Sequence, residues 1–144
     1  MKNQMFTLFI SLFSLCLISC SDDDNSSNSE IQGTFQLTKF EDSSEGTVLS
    51  PDDNKPVKIT FRADGSFDGM AGNNEIQGSY SLDSDIITFN LFSTEIAATE
   101  REVMFVRSIN KSLNGGEYIM PYSLKDGELT LEYETQSKMS FIQI

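Results

Sequence analysis

Asp64-Gly65 and Asp126-Gly127 each stand between runs in which apolar and polar residues alternate. A period of two marks a strand with one buried face, and Asp-Gly tolerates the positive φ that a tight hairpin requires. Val57, Ile59 and Phe61 alternate in VKITFR before the first turn, and Ser66-Phe67 follows it. Tyr122-Ser123-Leu124 and Leu129-Thr130-Leu131-Glu132-Tyr133 flank the second. Phe35 and Leu37 alternate in GTFQLTKF, and a third turn is expected at Asp83-Ser84-Asp85, between Tyr80 and Leu82 on one side and Ile87, Phe89 and Leu91 on the other. Pro121 cannot donate to a ladder and is expected at an edge, a bulge or a strand break. Successive hairpins of this kind must bury their apolar faces together. The expected fold is mainly β (α+β): an antiparallel, barrel-like sheet.

One segment has the other period. Thr99-Glu100-Arg101-Glu102 has capping-box spacing, and Phe105, Ile109 and Leu113 recur at i, i+4 and i+8 with Val106 beside them. Asn114-Gly115-Gly116 reads as its stop. A single helix over about residues 99–114 is expected to lay this stripe on the sheet. Glu41 to Lys55 is rich in Asp, Glu, Ser and Pro and reads as a long exposed loop.

The N-terminus is of a different kind. After Lys2, Met5 to Ser19 is almost uninterrupted apolar sequence, too short to span a bilayer, and fits the core of a secretory signal peptide. It ends in Leu17-Ile18-Ser19-Cys20, which resembles the bacterial lipobox: the Cys20 thiol would take the lipid, and the small Ser19 would admit the signal peptidase. Residues 1–19 are then removed with Cys16, and 125 residues remain. Ser21-Asp22-Asp23-Asp24 resembles the acidic export tag of Bacteroidetes surface lipoproteins, though a solvated acidic linker reads the same way. Residues 20–30 form a lipidated, polar, flexible tether, and residues 31–144 form the domain. The expected location is the cell envelope, at the outer membrane through the lipid, with surface exposure an open possibility.

Composition narrows the chemistry. The chain has no His, which excludes His-based triads and imidazole metal sites. With Cys20 lipidated, the domain has no thiol for disulfides, zinc or nucleophilic catalysis. Of 22 acids, Asp22, Asp23, Asp24 and Glu30 precede residue 31, and of ten bases only Lys2 does, so the domain keeps 18 against nine and a net charge of −9. That charge argues against a nucleic-acid partner. Paired carboxylates exist in Asp83 with Asp85 and Glu100 with Glu102, but a turn and a helix first turn explain them. Asp22–Asp24 and Asp52-Asp53-Asn54 lack the alternating spacing of a calcium loop. No catalytic residue, cofactor or metal is expected, and the domain is expected to be a monomer.

The stretch Gly69-Met70-Ala71-Gly72-Asn73-Asn74-Glu75-Ile76-Gln77-Gly78-Ser79-Tyr80 resembles the core motif of META/HslJ-type domains, roughly G-x-A-G-C-N-x-x-x-G-x-Y. Thr94-Glu95-Ile96-Ala97-Ala98 then stands where the family often has T-x-M-A-C, followed by the helix, Tyr118, Leu129-Thr130-Leu131 and Phe141. The two family cysteines, which look like disulfide partners in many members, are Asn73 and Ala98 here. Packing and backbone hydrogen bonds are expected to hold those segments together instead. Phe35 replaces the family's usual Trp. In the motif, Gly69, Gly72 and Gly78 read as bulge, positive-φ or close-approach positions. Asn73 and Asn74 suit an αL corner, with the Asn74 amide on nearby backbone, and Tyr80 covers the core with its hydroxyl at the edge. The resemblance implies a non-enzymatic lipoprotein with a role in envelope stress or protein interaction. The alternative is a lipocalin-like carrier in which Phe35, Phe61, Phe67, Phe89 and Tyr133 line a cavity for a small apolar ligand.

Overall fold

The computed structural model describes residues 30–44, 46–49, 54–94 and 99–144. The signal segment, Cys20, Asp22–Asp24, Asp52, Asp53 and Glu95 to Ala98 lie outside the described residues. Ten strands and one helix are seen among those described: β1 (Gly33–Asp42), β2 (Thr47–Leu49), β3 (Val57–Phe61), β4 (Ser66–Ala71), β5 (Asn74–Asp83), β6 (Ile86–Ser93), α1 (Glu100–Lys111), β7 (Leu113–Asn114), β8 (Glu117–Lys125), β9 (Glu128–Glu134) and β10 (Ser137–Gln143). Eight of the strands form one meander in the order β1-β3-β4-β5-β6-β8-β9-β10, and β10 pairs back on β1. Every pairing is antiparallel. The sheet therefore closes into a barrel, which leaves no long free edge.

The inside is filled by rings. Phe61 meets Phe35 at 6.0 Å, Phe67 at 6.0 Å, Tyr80 at 5.0 Å and Phe89 at 6.1 Å, and Phe67 meets Phe89 at 5.6 Å. These are edge and tilted contacts of the kind aromatic quadrupoles favour. Four of the five rings that a carrier would need as cavity lining thus touch one another. The fifth, Tyr133, lies by the helix and donates its hydroxyl to the Glu41 carbonyl at 3.1 Å.

The three predicted turns join β3 to β4, β5 to β6 and β8 to β9. Asp126 and Gly127 both take positive φ, as does Ser84. Pro121 is exposed inside β8, opposite Ile86, where the ladder to β6 ends and the ladder to β9 begins at Tyr122. Its missing N–H falls at that change of partner.

Two expectations change. The helix stops at Lys111, because the Ser112 backbone N–H and hydroxyl both donate to the Ile109 carbonyl, at 3.0 and 2.8 Å. Leu113 and Asn114 then pair with Tyr118 and Glu117, so Gly115-Gly116 is a hairpin turn. Phe105 and Ile109 are buried as expected, while Leu113 and Val106 are exposed. The stretch after Glu41 is also less irregular than expected. Glu41 and Asp42 belong to β1, and Thr47–Leu49 folds back on them. Glu41 bonds Lys39 at 2.8 Å, and this partner holds its carboxyl below the usual range. Its acidity reads as loop in a sequence but serves the outer face of a strand.

Opposite ends of the barrel are crossed by different segments. Residues 30–32 cross one end: Ile31 is fully buried, and the Tyr122 hydroxyl on β8 donates to Glu30 Oε2 at 3.1 Å. Helix α1 crosses the other, from the β4–β5 turn to the ends of β1 and β9. There Lys111 Nζ bonds Asp42 at 3.1 Å and Glu134 at 2.8 Å and lies 5.5 Å from the Tyr133 ring centre. Phe105 and Ile109 point from the helix into the common core.

Candidate functional site

The Gly69–Tyr80 motif occupies β4, its turn and β5, directly beneath the helix N-terminus. Gly72 sits in that turn with φ +64°, and a Cβ there would lie 2.7 Å from Thr99 Oγ1 and 2.9 Å from Glu102 Oε2. Only glycine provides both the left-handed backbone and the clearance. Neither Asn73 nor Asn74 takes positive φ, which corrects the αL expectation. Gly72 alone turns the corner.

Glu102 organises the place. It is 2% exposed and forms the predicted capping box, accepting the Thr99 N–H at 3.3 Å while donating its own N–H to Thr99 Oγ1 at 3.2 Å. The same carboxylate reaches across to the barrel. Oε2 accepts the Asn73 N–H at 3.4 Å, and Oε1 accepts the side-chain amide of Asn74. The Asn74 side-chain oxygen Oδ1 accepts the Thr94 hydroxyl at 3.0 Å, and Thr94 Oγ1 accepts the Glu75 N–H, also at 3.0 Å. Lys55 Nζ donates to Asn73 Oδ1 at 2.7 Å on the exposed side. A buried charge without partners would be strongly unfavourable. Here three donors from two chain segments converge on one carboxylate, so the charge becomes a fastening.

This fastening lies at the place where the resemblance puts a cysteine pair. Asn73 and Thr99, the neighbour of Ala98, donate their N–H groups to the same Glu102 oxygen. Packing and backbone hydrogen bonds alone were expected to hold these segments. The structure adds an acid from the helix, Glu102, whose capping-box spacing points only to the cap.

The remaining motif residues have structural partners. A Cβ at Gly69 would lie 1.9 Å from the Lys58 carbonyl oxygen, and one at Gly78 would lie 1.8 Å from that of Asn90. Both glycines are therefore close-approach positions between strands. Tyr80 is buried, and its hydroxyl donates to the Arg62 carbonyl at 2.7 Å, closing the β3–β4 turn. Burial raises its pKa. Asp83 and Asp85 are exposed beside their turn, and the side chain of Glu100 lies outside the described residues. Among the described residues no three Asp, Glu or Cys converge as a metal site would. As placed, the constellation binds its own helix to the β4–β5 turn.

The comparisons with known proteins agree with this architecture. The sequence model of the META domain matches residues 29–144. Among solved structures, a protein from Burkholderia xenovorans is similar at 17% identity and a TM-score of 0.60, over 78% of this chain and 82% of that one. A lipocalin-like protein from Bacteroides uniformis is 24% identical with a TM-score of 0.56, over 78% and 97% of the two chains. An uncharacterized protein from Bacteroides eggerthii is 23% identical with a TM-score of 0.52, over 78% and 98%. At these identities the likeness is one of fold. No curated protein matches the chain in sequence.

Proposed function

Because the chain belongs to the META domain family, we propose that it is a lipid-anchored, non-enzymatic domain of the bacterial cell envelope, acting in envelope stress or through protein contacts. The observation that carries the anchor is the run from Met5 to Ser19 ending at Cys20, ten residues before Glu30 meets the barrel. No helix among the described residues is long and apolar enough to cross a membrane, so attachment in this reading rests on the lipid at Cys20. The non-enzymatic reading draws on the way Glu102, the buried acid of the motif, is committed to holding the helix.

Radiolabelled palmitate should enter the wild-type protein, and Cys20→Ala should abolish both label and membrane fractionation. Label retained by Cys20→Ala would refute the anchor. Protease treatment of intact cells tests whether the domain faces outward.

A second reading, a carrier of a small apolar ligand, is favoured by the lipocalin-like neighbour. It must contend with the ring contacts in the barrel. The space under the helix lined by Phe40, Met104 and Tyr133 is only about 30 Å³, far below the 300 Å³ or so at which small-molecule sites begin. Native mass spectrometry of material purified without detergent tests it: a copurified small molecule would favour the carrier.

A further inference from the structure

The outer wall of the barrel carries a feature that neither the Glu102 fastening nor the anchor explains. Over β4 and β5 lies a shallow groove of about 780 Å³, bordered by Arg62, Asp68, Met70, Glu75, Gln77 and Phe92. Phe92 is 70% exposed and Met70 is 40% exposed. A smaller hollow of about 120 Å³ adjoins it, sharing Glu75, Gln77 and Phe92 and extending to Thr94. Phe92 is therefore common to both hollows. Strand register places Asp68 beside Gln77 and Gln77 beside Phe92. At the usual strand spacing that row is about 10 Å long, the length of a disaccharide. Met70 and Glu75 form the adjacent row, with Lys58 next to Met70. Gly69 and Gly78 also line the groove. They must be glycine for strand packing, so the floor carries no side chain there.

The chemistry of the walls selects the occupant. Arg62 is ion-paired with Asp68, so the charged lining of the groove keeps one net negative charge, that of Glu75. The domain charge of −9 disfavours an anion. A wholly apolar ligand would strip water from Asp68, Glu75 and Gln77 without replacing it. A neutral molecule with many hydroxyls meets both requirements: its hydroxyls donate to the carboxylates and the Gln77 carbonyl, and its C–H face packs on the negative face of the Phe92 ring. The geometry points to a binding site for a neutral oligosaccharide on this wall, with Phe92 as the stacking platform. This site is independent of the anchor.

The test is a titration of isotope-labelled protein, purified as the full chain, with maltohexaose, cellohexaose and mannohexaose. At about 10 mM sugar, enough to reveal millimolar affinity, at least one should shift the amides of Met70, Gln77 and Phe92. Phe92→Ala should weaken that binding about tenfold or more, and Val48→Ala, on another exposed strand, should leave it unchanged. Phe92 is exposed, so its variant should keep the wild-type spectrum elsewhere. The assignment is overturned if none of the three sugars shifts these amides. It is equally overturned if binding survives Phe92→Ala, or if a peptide alternating Lys and Leu occupies the groove and the sugars do not.

Discussion

At one end of the barrel a single apolar side chain, Ile31, enters the core as the chain arrives, and hydrogen bonds from the Tyr122 hydroxyl to Glu30 and from the Gln143 side-chain amide to the Gln32 carbonyl pin the arriving segment. At the other end a helix of twelve residues is needed. It contributes Phe105 and Ile109 to the core but is fastened at both ends by charge: Glu102 on the β4–β5 turn, and Lys111 on Asp42 and Glu134. The first end is closed largely by burial, the second by burial plus directional bonds. Burial is tolerant of geometry, whereas hydrogen bonds fix an orientation. The helix end is therefore the part of the molecule in which small chemical changes should have local structural consequences.

The largest effect expected is at the plug itself. Phe105→Ala should destabilise the protein by about 3–5 kcal/mol, read as a lower denaturant midpoint. If the helix were a mere cover, the loss would be far smaller. Glu102→Ala removes the buried carboxylate that accepts from the Asn74 amide and from the Asn73 and Thr99 N–H groups, and should cost about 3 kcal/mol. Hydrogen exchange should speed up at Asn73 and Thr99 before it does so in β8 or β9. Uniform acceleration would mean that Glu102 is no latch.

Ile31→Ala at the opposite end should cost about 2 kcal/mol, the low side for a buried isoleucine because the chain end can relax. Its exchange signature should be global, since no directional network is lost. An equally local signature would erase the contrast between the ends.

Alkaline pH separates the ends further. Burial, with the Glu30 carboxylate as acceptor, pushes the Tyr122 phenol up to about 12. A phenol whose folded pKa is raised contributes stability that is complete below its unfolded value of about 10 and is lost as pH climbs through the folded value. Tyr122→Phe should cost about 1 kcal/mol at neutral pH and should reduce the drop in melting temperature between about pH 10 and 12. Tyr80 and Tyr133 are raised in the same direction, chiefly by burial, so part of the drop remains. The smallest effect belongs to Lys111→Ala, about 0.5 kcal/mol for a partly exposed pair, and added salt should shrink it.

Much of the barrel was legible. The alternating runs and the turns at Asp64-Gly65, Asp83-Ser84-Asp85 and Asp126-Gly127 state which face of each strand is buried, because strand period and turn φ are local properties. The capping box at Thr99 was legible for the same reason. The helix end was misread by three residues, since Asn114-Gly115-Gly116 serves equally as a helix stop and as a hairpin turn, and only pairing to Tyr118 and Glu117 decides between them. Glu41 and Asp42 read as loop because outward strand positions and loops have the same polar composition.

The site was legible as a motif but not as a mechanism. Gly69, Gly72, Gly78 and Tyr80 carry the resemblance, and their structural roles agree with it. Glu102 was visible only as a cap residue. Its partners Asn73 and Asn74 lie 29 and 28 residues away, and no local rule joins them.

By itself the sequence determined that this chain makes antiparallel hairpins, one capped helix and a domain without histidine, because periodicity, turn chemistry and composition act over a few residues. Only the tertiary structure decided that β10 closes on β1, that α1 crosses one mouth while Ile31 closes the other, and that an acid in the helix cap ties the helix to the barrel. Those outcomes depend on which distant surfaces meet, and a carboxylate becomes a latch only when burial removes water and leaves the protein's own donors as its partners.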